Sequence, residues 1–383
     1  MPVVTADLVR RVRQLLATTD AELEDAVAVE ADGIVDDAVL DALRTDVHAE
    51  LVGAGPLEPL LASPGVTDVL VNGCDDVWID RGCGLRRSVA SFADDEAVVR
   101  LAQRLAAAAG RRLDDAQPYV DAALPDGTRL HAVLPPIVTR PSISLRVLGR
   151  ERLDLDALVA RASIARDVRT LLEQMVAARL ALLITGGTGS GKTTLLGALL
   201  ACVSNDERIV TIEDSAELVV EHPHVVQLLA RAANIEGSGA VGMSELVRQS
   251  LRMRPDRIVV GEFRGAEIAE LLVALNTGHE GGAATMHANS AADVPARCVA
   301  LGALAGLRPD TTLRLLTCAV HVVVHMRRGA TGRFVEEIAL LSGDADDVCV
   351  DPVWTYVDGR GDAYARLEQL LARRPAGPAC APC

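Results

Sequence analysis

One stretch constrains this chain more than any other: Gly186-Gly-Thr-Gly-Ser-Gly-Lys-Thr193, between the apolar run Leu180–Thr185 and the helical pattern Thr194–Val203. The order strand, GxxxxGK[ST], helix separates a phosphate-binding P-loop from a glycine-rich turn with a surface lysine. Gly186, Gly187, Gly189 and Gly191, with Thr188 and Ser190 between them, let backbone N–H groups turn inward onto phosphate oxygens. The N-terminus of the following helix adds a favourable dipole. Lys192 is expected to reach the β- and γ-phosphates, and the Thr193 hydroxyl to bind Mg²⁺. Thr194, opening the helix, completes the expected nucleotide-binding set. The pattern commits this region to an α/β layer.

Three further apolar runs end in chemistry. Arg208–Ile212 is followed by Glu213 and Asp214, Ile258–Val260 by Gly261 and Glu262, and Ala283–Met286 by His287. In a parallel sheet ligands bind at the carboxyl ends of strands, the edge that also carries the P-loop. Asp256 precedes its strand and Glu262 follows it, which puts them roughly 20 Å apart. Glu262 is therefore the acid expected to hold Mg²⁺, directly or through water. Glu213 is expected to orient or activate the attacking water, although these two roles can be exchanged. The plain alternative for Glu213 is a helix N-terminal acid or an ion-pair partner. His287 reads as a sensor of the γ-phosphate. For His279, at the start of the same glycine-rich segment, the functional and structural readings stand level.

The 383 residues suggest two domains. Residues 1–45 read as an acidic helical extension, and 46–150 as a smaller α+β domain. That domain has strands at Val66–Val71, Val77–Asp80, Leu130–Leu134 and Ile143–Val147, and a helix over Asp94–Ala109. Residues 151–168 read as a connector and hinge, 169–343 as a RecA-like P-loop domain with a parallel-rich sheet, and 344–383 as a C-terminal tail. Thirty-eight basic against 53 acidic residues leave a net charge of −15, which argues against a general nucleic-acid surface. Aromatics at 2% argue against base-stacking platforms. Four of the 8 cysteines fall in apolar stretches and are expected as small core residues. Cys380 and Cys383 form one CxxC pair, too few ligands for a zinc site. No apolar run is long enough to span a bilayer, and no secretory signal is read at the start. The expected location is the cytoplasm.

Taken together, these segments resemble the secretion ATPases of type II and type IV systems. Thr211-Ile-Glu-Asp-Ser-Ala-Glu-Leu218 looks like that family's Asp box, Val259-Val-Gly-Glu-Phe-Arg-Gly265 its atypical Walker B segment, and Gly278-His-Glu-Gly-Gly-Ala-Ala-Thr-Met-His-Ala-Asn-Ser290 its His box. Upstream, Gly53-Ala-Gly-Pro-Leu-Glu-Pro-Leu60, Val66-Thr-Asp-Val-Leu-Val-Asn-Gly73, Leu124-Pro-Asp-Gly-Thr-Arg129 and Pro141-Ser-Ile-Ser-Leu-Arg146 are similar to the CpaF/TadA type, which powers Flp (tight-adherence) pili. The resemblance covers roughly 46–342. It departs at Val147, where the family carries a positive residue, and in lacking a four-cysteine insert.

The resemblance implies ATP and Mg²⁺ as cofactors, a homo-hexameric ring, and inner-membrane platform proteins as partners. The motor would sit peripherally at the inner face of the membrane. It also implies that Arg129 and Arg146, with Arg104 a weaker candidate, approach a neighbouring subunit's phosphates, and that Arg264 couples the site to that neighbour. Arginine suits this role as a permanently charged fork; the plain alternative is pairing with local acids. Two other functions are kept in view: an ATPase of conjugation acting in DNA transfer, and a nucleotide-binding scaffold without turnover.

Overall fold

The computed structural model describes residues 11, 12, 15, 23–30, 53–82, 84–147, 153–231, 233, 238–278, 280–329, 332–344 and 347–374. The chain divides into two compact units, residues 1–149 and 150–383. Within 1–45 the described residues are helical, among them helix α1 (Leu23–Glu30). His279, Cys380 and Cys383 lie outside the described residues.

The first unit is built on six antiparallel strands in the order β3-β2-β1-β6-β5-β4. They are β1 (Asp68–Asn72), β2 (Val77–Asp80), β3 (Leu85–Arg87), β4 (Tyr119–Ala123), β5 (Arg129–Val133) and β6 (Ser142–Arg146). Alternation sets the faces: Val69 and Val71 of β1 and Ile143 and Leu145 of β6 are buried, with more exposed residues between them. Helix α2 (Asp95–Ala108) packs on that face with Val98, Leu101, Ala102, Leu105 and Ala106. The Asp94 carboxylate caps it by accepting from the Ala97 N–H at 2.7 Å, a bond worth about 1 kcal/mol.

The second unit holds nine strands in the order β15-β14-β13-β12-β7-β11-β10-β8-β9. Six run parallel: β7 (Leu182–Gly186), β8 (Ile209–Glu213), β9 (Val225–Leu229), β10 (Arg257–Val260), β11 (Ala283–Met286) and β12 (Val322–Gly329). Every residue of β7, β8, β10 and β11 is buried, as continuous apolar runs with helices on both faces demand. Those helices are α3 (Leu155–Ala160), α4 (Arg166–Ala177), α5 (Lys192–Leu200), α6 (Met243–Ser250), α7 (Ile268–Asn276), α8 (Val294–Leu304) and α9 (Pro309–Ala319). They enclose two cores, one on each side of the sheet.

Two boundaries differ from expectation. Residues 153–168, read as a connector, belong to the second unit: Asp154 caps α3, and Leu155, Leu158 and Ile164 enter its core. Residues 349–373, read as tail, continue the sheet. β13 (Gly332–Ser342) pairs antiparallel with β12, β14 (Cys349–Thr355) with β13, and β15 (Gly359–Arg360) with β14. Helix α10 (Tyr364–Arg373) then returns to the core through Leu367. Pro352 hid β14 from the sequence reading. It is accommodated at a register shift, where Trp354 pairs with Ile338 but Pro352 with Ala339, the kind of irregularity at which a strand tolerates proline. Of the described cysteines, Cys298 alone is buried, while Cys202 and Cys318 are exposed.

Candidate active site

β12 and β11 flank β7 in parallel and fix the point at which the P-loop leaves the sheet. The chain exits at Gly186 with φ +148°, then turns through Gly189 (+68°) and Gly191 (+95°), conformations that glycine adopts without a Cβ penalty. Space excludes a side chain at Gly186 as well: a Cβ would lie 2.3 Å from the Met326 carbonyl oxygen. Gly191 caps α5, whose first turn carries Lys192, a half-buried Thr193 and an exposed Thr194.

Lys192 is buried. Its Nζ donates to the carbonyl oxygens of Gly186 (3.1 Å) and Gly187 (3.0 Å) and lies 3.3 Å from His287 Nδ1. Burial pushes its pKa down, against the attraction of Glu262. His287 Nε2 is 2.9 Å from Glu262 Oε1. An ammonium has no lone pair, so Nδ1 accepts and the imidazole proton sits on Nε2, facing the carboxylate. Burial and then the Lys192 charge hold the His287 pKa below its ordinary value, in accord with this neutral form. Glu262 also accepts from Arg264 Nε. Burial pushes Glu262 up, but the Arg264 hydrogen bond and the charges of Arg264, His287 and Lys192 outweigh it and hold the carboxyl low. Arg264 Nη1 reaches Asp214 at 4.0 Å. The ends of β7, β11, β10 and β8 thus deliver one chain of contacts: Lys192, His287, Glu262, Arg264, Asp214.

Glu213 stands apart from this chain, and its expected role is corrected. Its carboxylate is buried, with Oε1 accepting from the N–H groups of Glu217 (3.1 Å) and Leu218 (2.8 Å) and Oε2 from Gln227 Nε2 (2.6 Å). Burial raises its pKa, with these hydrogen bonds opposing. Both oxygens hold the 214–218 turn against β9, so Glu213 is a support rather than a group open to a water. The acid the sequence reading passed over is Glu217, whose charge bears on both Lys192 and Arg264. Its spacing of four from Glu213, at the far end of the same turn, was the available signal.

Asp256 is at the opposite edge, as expected, where it accepts from the Arg208 N–H at 2.7 Å. Arg129 and Arg146 lie in the first unit, directly opposite one another on β5 and β6. Arg146 Nε donates to Asp68 at 3.0 Å, and Arg104 Nη2 donates to the Gly53 carbonyl at 2.9 Å.

A buried serine hydroxyl without a hydrogen-bond partner among the described residues, Ser190 Oγ, lies in the P-loop. With a loop of positive-φ glycines and a buried ammonium, the donor set fits a polyphosphate.

A family model described as "Type II/IV secretion system protein" matches residues 50–336. The chain belongs to that family. Its P-loop and this membership together make it a P-loop secretion ATPase, an enzyme that hydrolyses ATP. A Mycobacterium tuberculosis (H37Rv) protein named for conjugal transfer is 55% identical over 347 residues, covering 88% of this chain and 98% of the relative. The type IV secretion system protein VirB11 of Brucella suis is 30% identical, over 80% of this chain and 94% of its own length. Among solved structures, the Legionella pneumophila ATPase DotB superposes with a TM-score of 0.52 at 18% identity, over 82% of this chain and 86% of its own. That likeness supports the RecA-like α/β fold. Among the described residues no helix is long and apolar enough to cross a membrane.

Proposed function

We propose that this chain is the motor of a type IV secretion or pilus machine, a homo-hexamer that turns over ATP at the cytoplasmic face of the membrane and acts on inner-membrane platform proteins. The observation that carries the reading is the contact chain from Lys192 to Arg264 along the P-loop edge. Lys192 leaves the loop carbonyls for the β- and γ-phosphates. Thr193 and Glu262 would hold Mg²⁺, which would neutralise phosphate charge. Water attacks the γ-phosphorus as the bond to the bridging oxygen breaks. Glu217 is the acid that orients that water, and His287 reports the γ-phosphate by exchanging its partners Lys192 and Glu262.

Arg129 and Arg146 act in trans on a neighbour's phosphates. They stand opposite one another on β5 and β6, so both guanidinium groups, permanently charged forks that fit phosphate oxygens, are carried at one place on that sheet. The test is phosphate release over a range of protein concentrations, for wild type, Lys192→Ala and Arg129→Ala. Turnover per chain should rise with concentration and vanish in both variants. Turnover independent of concentration and untouched by Arg129→Ala would remove the ring.

Two machines compete for this motor. The upstream motifs favour the Flp pilus. The 55% identical relative named for conjugal transfer favours DNA transfer, against which the net charge of −15 weighs. Tight, salt-sensitive binding of DNA in a shift assay supports transfer. Loss of surface pili on gene disruption, with plasmid transfer intact, supports the pilus.

A further inference from the structure

β12 runs on past the end of β7. Their last register pair is Met326 with Gly186, and Arg327, Arg328 and Gly329 continue beyond it, exposed. A register shift between His325 and Met326 in the pairing with β13 marks a bulge, which bends and twists a strand locally. The hairpin therefore stands beside the P-loop and touches it at defined points. Arg333 Nε donates to the Gly189 carbonyl oxygen at 2.7 Å. A Cβ built on Gly191 would lie 3.5 Å from both Arg333 Cδ and Met326 Cε, and one on Gly189 would lie 3.5 Å from Arg328 Nη1. Arg328 and Arg333 are direct cross-strand partners, a like-charge arrangement that opposes hairpin formation unless acceptors lie close. The Gly189 carbonyl is such an acceptor.

The peptide between Gly189 and Ser190 is planar and trans, so its C=O and N–H point in opposite directions. Holding the oxygen outward on Arg333 turns the Ser190 N–H toward the concave side of the loop, where it lies 3.3 Å from the Gly187 oxygen. A phosphate oxygen needs a donor aimed that way. The loop is otherwise rich in glycine, the residue with most conformational freedom to lose, and ordering it before the ligand arrives raises affinity.

We propose that Arg333 is a positioning residue of the nucleotide site. It acts through the Gly189 carbonyl to pre-set the P-loop amides, and by this route the β12–β13 hairpin sets affinity for the diphosphate part of the nucleotide. This rests on nucleotide binding by the P-loop and is independent of the ring and of the transported substrate.

The experiment measures MgADP and MgATP dissociation constants by calorimetry on the full chain, together with KM and kcat, for wild type, Arg333→Ala, Arg333→Lys and Arg327→Ala. Arg333→Ala should weaken MgADP and MgATP by the same factor, about tenfold, as expected for loss of one charge-assisted hydrogen bond, with kcat at saturating ATP within about twofold of wild type. Arg333→Lys keeps a donor on a flexible stem and should recover part of the loss. Arg327 pairs with Glu336 rather than with the loop, and its alanine variant should leave both affinities unchanged. Unchanged affinities in Arg333→Ala would overturn the proposal. So would a loss confined to MgATP, which means direct contact with the γ-phosphate, or a fall in kcat alone, which means a contact made in the transition state. Should Arg333→Ala not fold, Arg333→Lys carries the same comparison: a smaller loss equal for both nucleotides supports the proposal, and no loss or a loss for MgATP alone overturns it.

Discussion

Strand β10 begins at Arg257 and ends two residues before Glu262, so it brings a charge to each edge of the nine-stranded sheet. At the amino edge Arg257 is 2% exposed. Its Nε and Nη2 donate to Glu207 at 2.8 and 3.0 Å, Nη2 also to the Val176 carbonyl at 2.9 Å, and Nη1 to the Gly281 carbonyl at 3.3 Å. At the carboxyl edge Glu262 shares one oxygen between His287 and Arg264, and the Arg264 side chain is 57% exposed. The first arrangement is saturated by the protein itself. The second is a chain whose members hold one another and are in part exposed. Both edges use ionised residues of similar type, so residue identity alone does not mark chemistry. Position along the strand direction does.

The sharpest way to break this comparison is at the saturated edge. Arg257→Ala leaves Glu207 with Arg179 at 3.1 Å as its remaining ion-pair partner and takes a donor from the Val176 and Gly281 carbonyls, and should destabilise the protein by about 3 kcal/mol. The unfolding midpoint in urea measures this, with turnover per folded chain kept near wild type. Replacing the pair together, Arg257→Met with Glu207→Leu, should restore part of that stability, because a packed apolar pair replaces two desolvated ions while Arg179 loses its carboxylate and keeps the Asp256 carbonyl. If Arg257→Ala melts like wild type, the amino edge is not structural in the sense argued.

At the other edge the readout reverses. Glu262→Gln keeps shape and hydrogen bonding but removes the charge, and should lower turnover by about 10²–10³-fold while the melting temperature stays within a few degrees. Phosphate release at saturating ATP measures it. Turnover within tenfold of wild type would mean that Glu262 belongs with Arg257 as a structural ion.

Much of the carboxyl edge was legible because its signals are local. The P-loop is eight contiguous residues, His287 directly follows an apolar run, and Glu262 follows one after a single glycine. Glu213 was legible as a strand-end acid but not in its role, since Gln227, which occupies one of its oxygens, comes from β9, fourteen residues on. Arg333 was invisible for the same reason on a larger scale, being separated from Gly189 by 144 residues. The misread connector did carry a signal: Asp154 as cap, then Leu155 and Leu158 at helical spacing. The misread tail was obscured by Pro352, which argues against a strand until a bulge is allowed for.

The smallest expected effect is on pH, and here too the edges separate. His321 lies at the amino edge, where its Nδ1 accepts from the Ala181 N–H at 3.1 Å, and burial lowers its pKa. Burial also lowers that of His287 at the carboxyl edge. For both, the unfolded chain takes up a proton near pH 6.5, while the folded chain resists until lower pH. Stability is therefore fully present above about pH 6.5, declines as pH falls toward each folded value, and is flat below it. Unfolding midpoints at pH 7.5 and 5.5 should show a less stable protein at 5.5. His321→Gln keeps an acceptor for Ala181 without a titrating ring, so it should narrow that gap and leave the acid limb of turnover in place. His287→Asn should alter the acid limb itself, because protonated His287 can no longer accept from Lys192 and repels it. If His321→Gln shifts the acid limb and His287→Asn does not, the histidine that matters to catalysis lies at the amino edge, and the division drawn between the two edges fails.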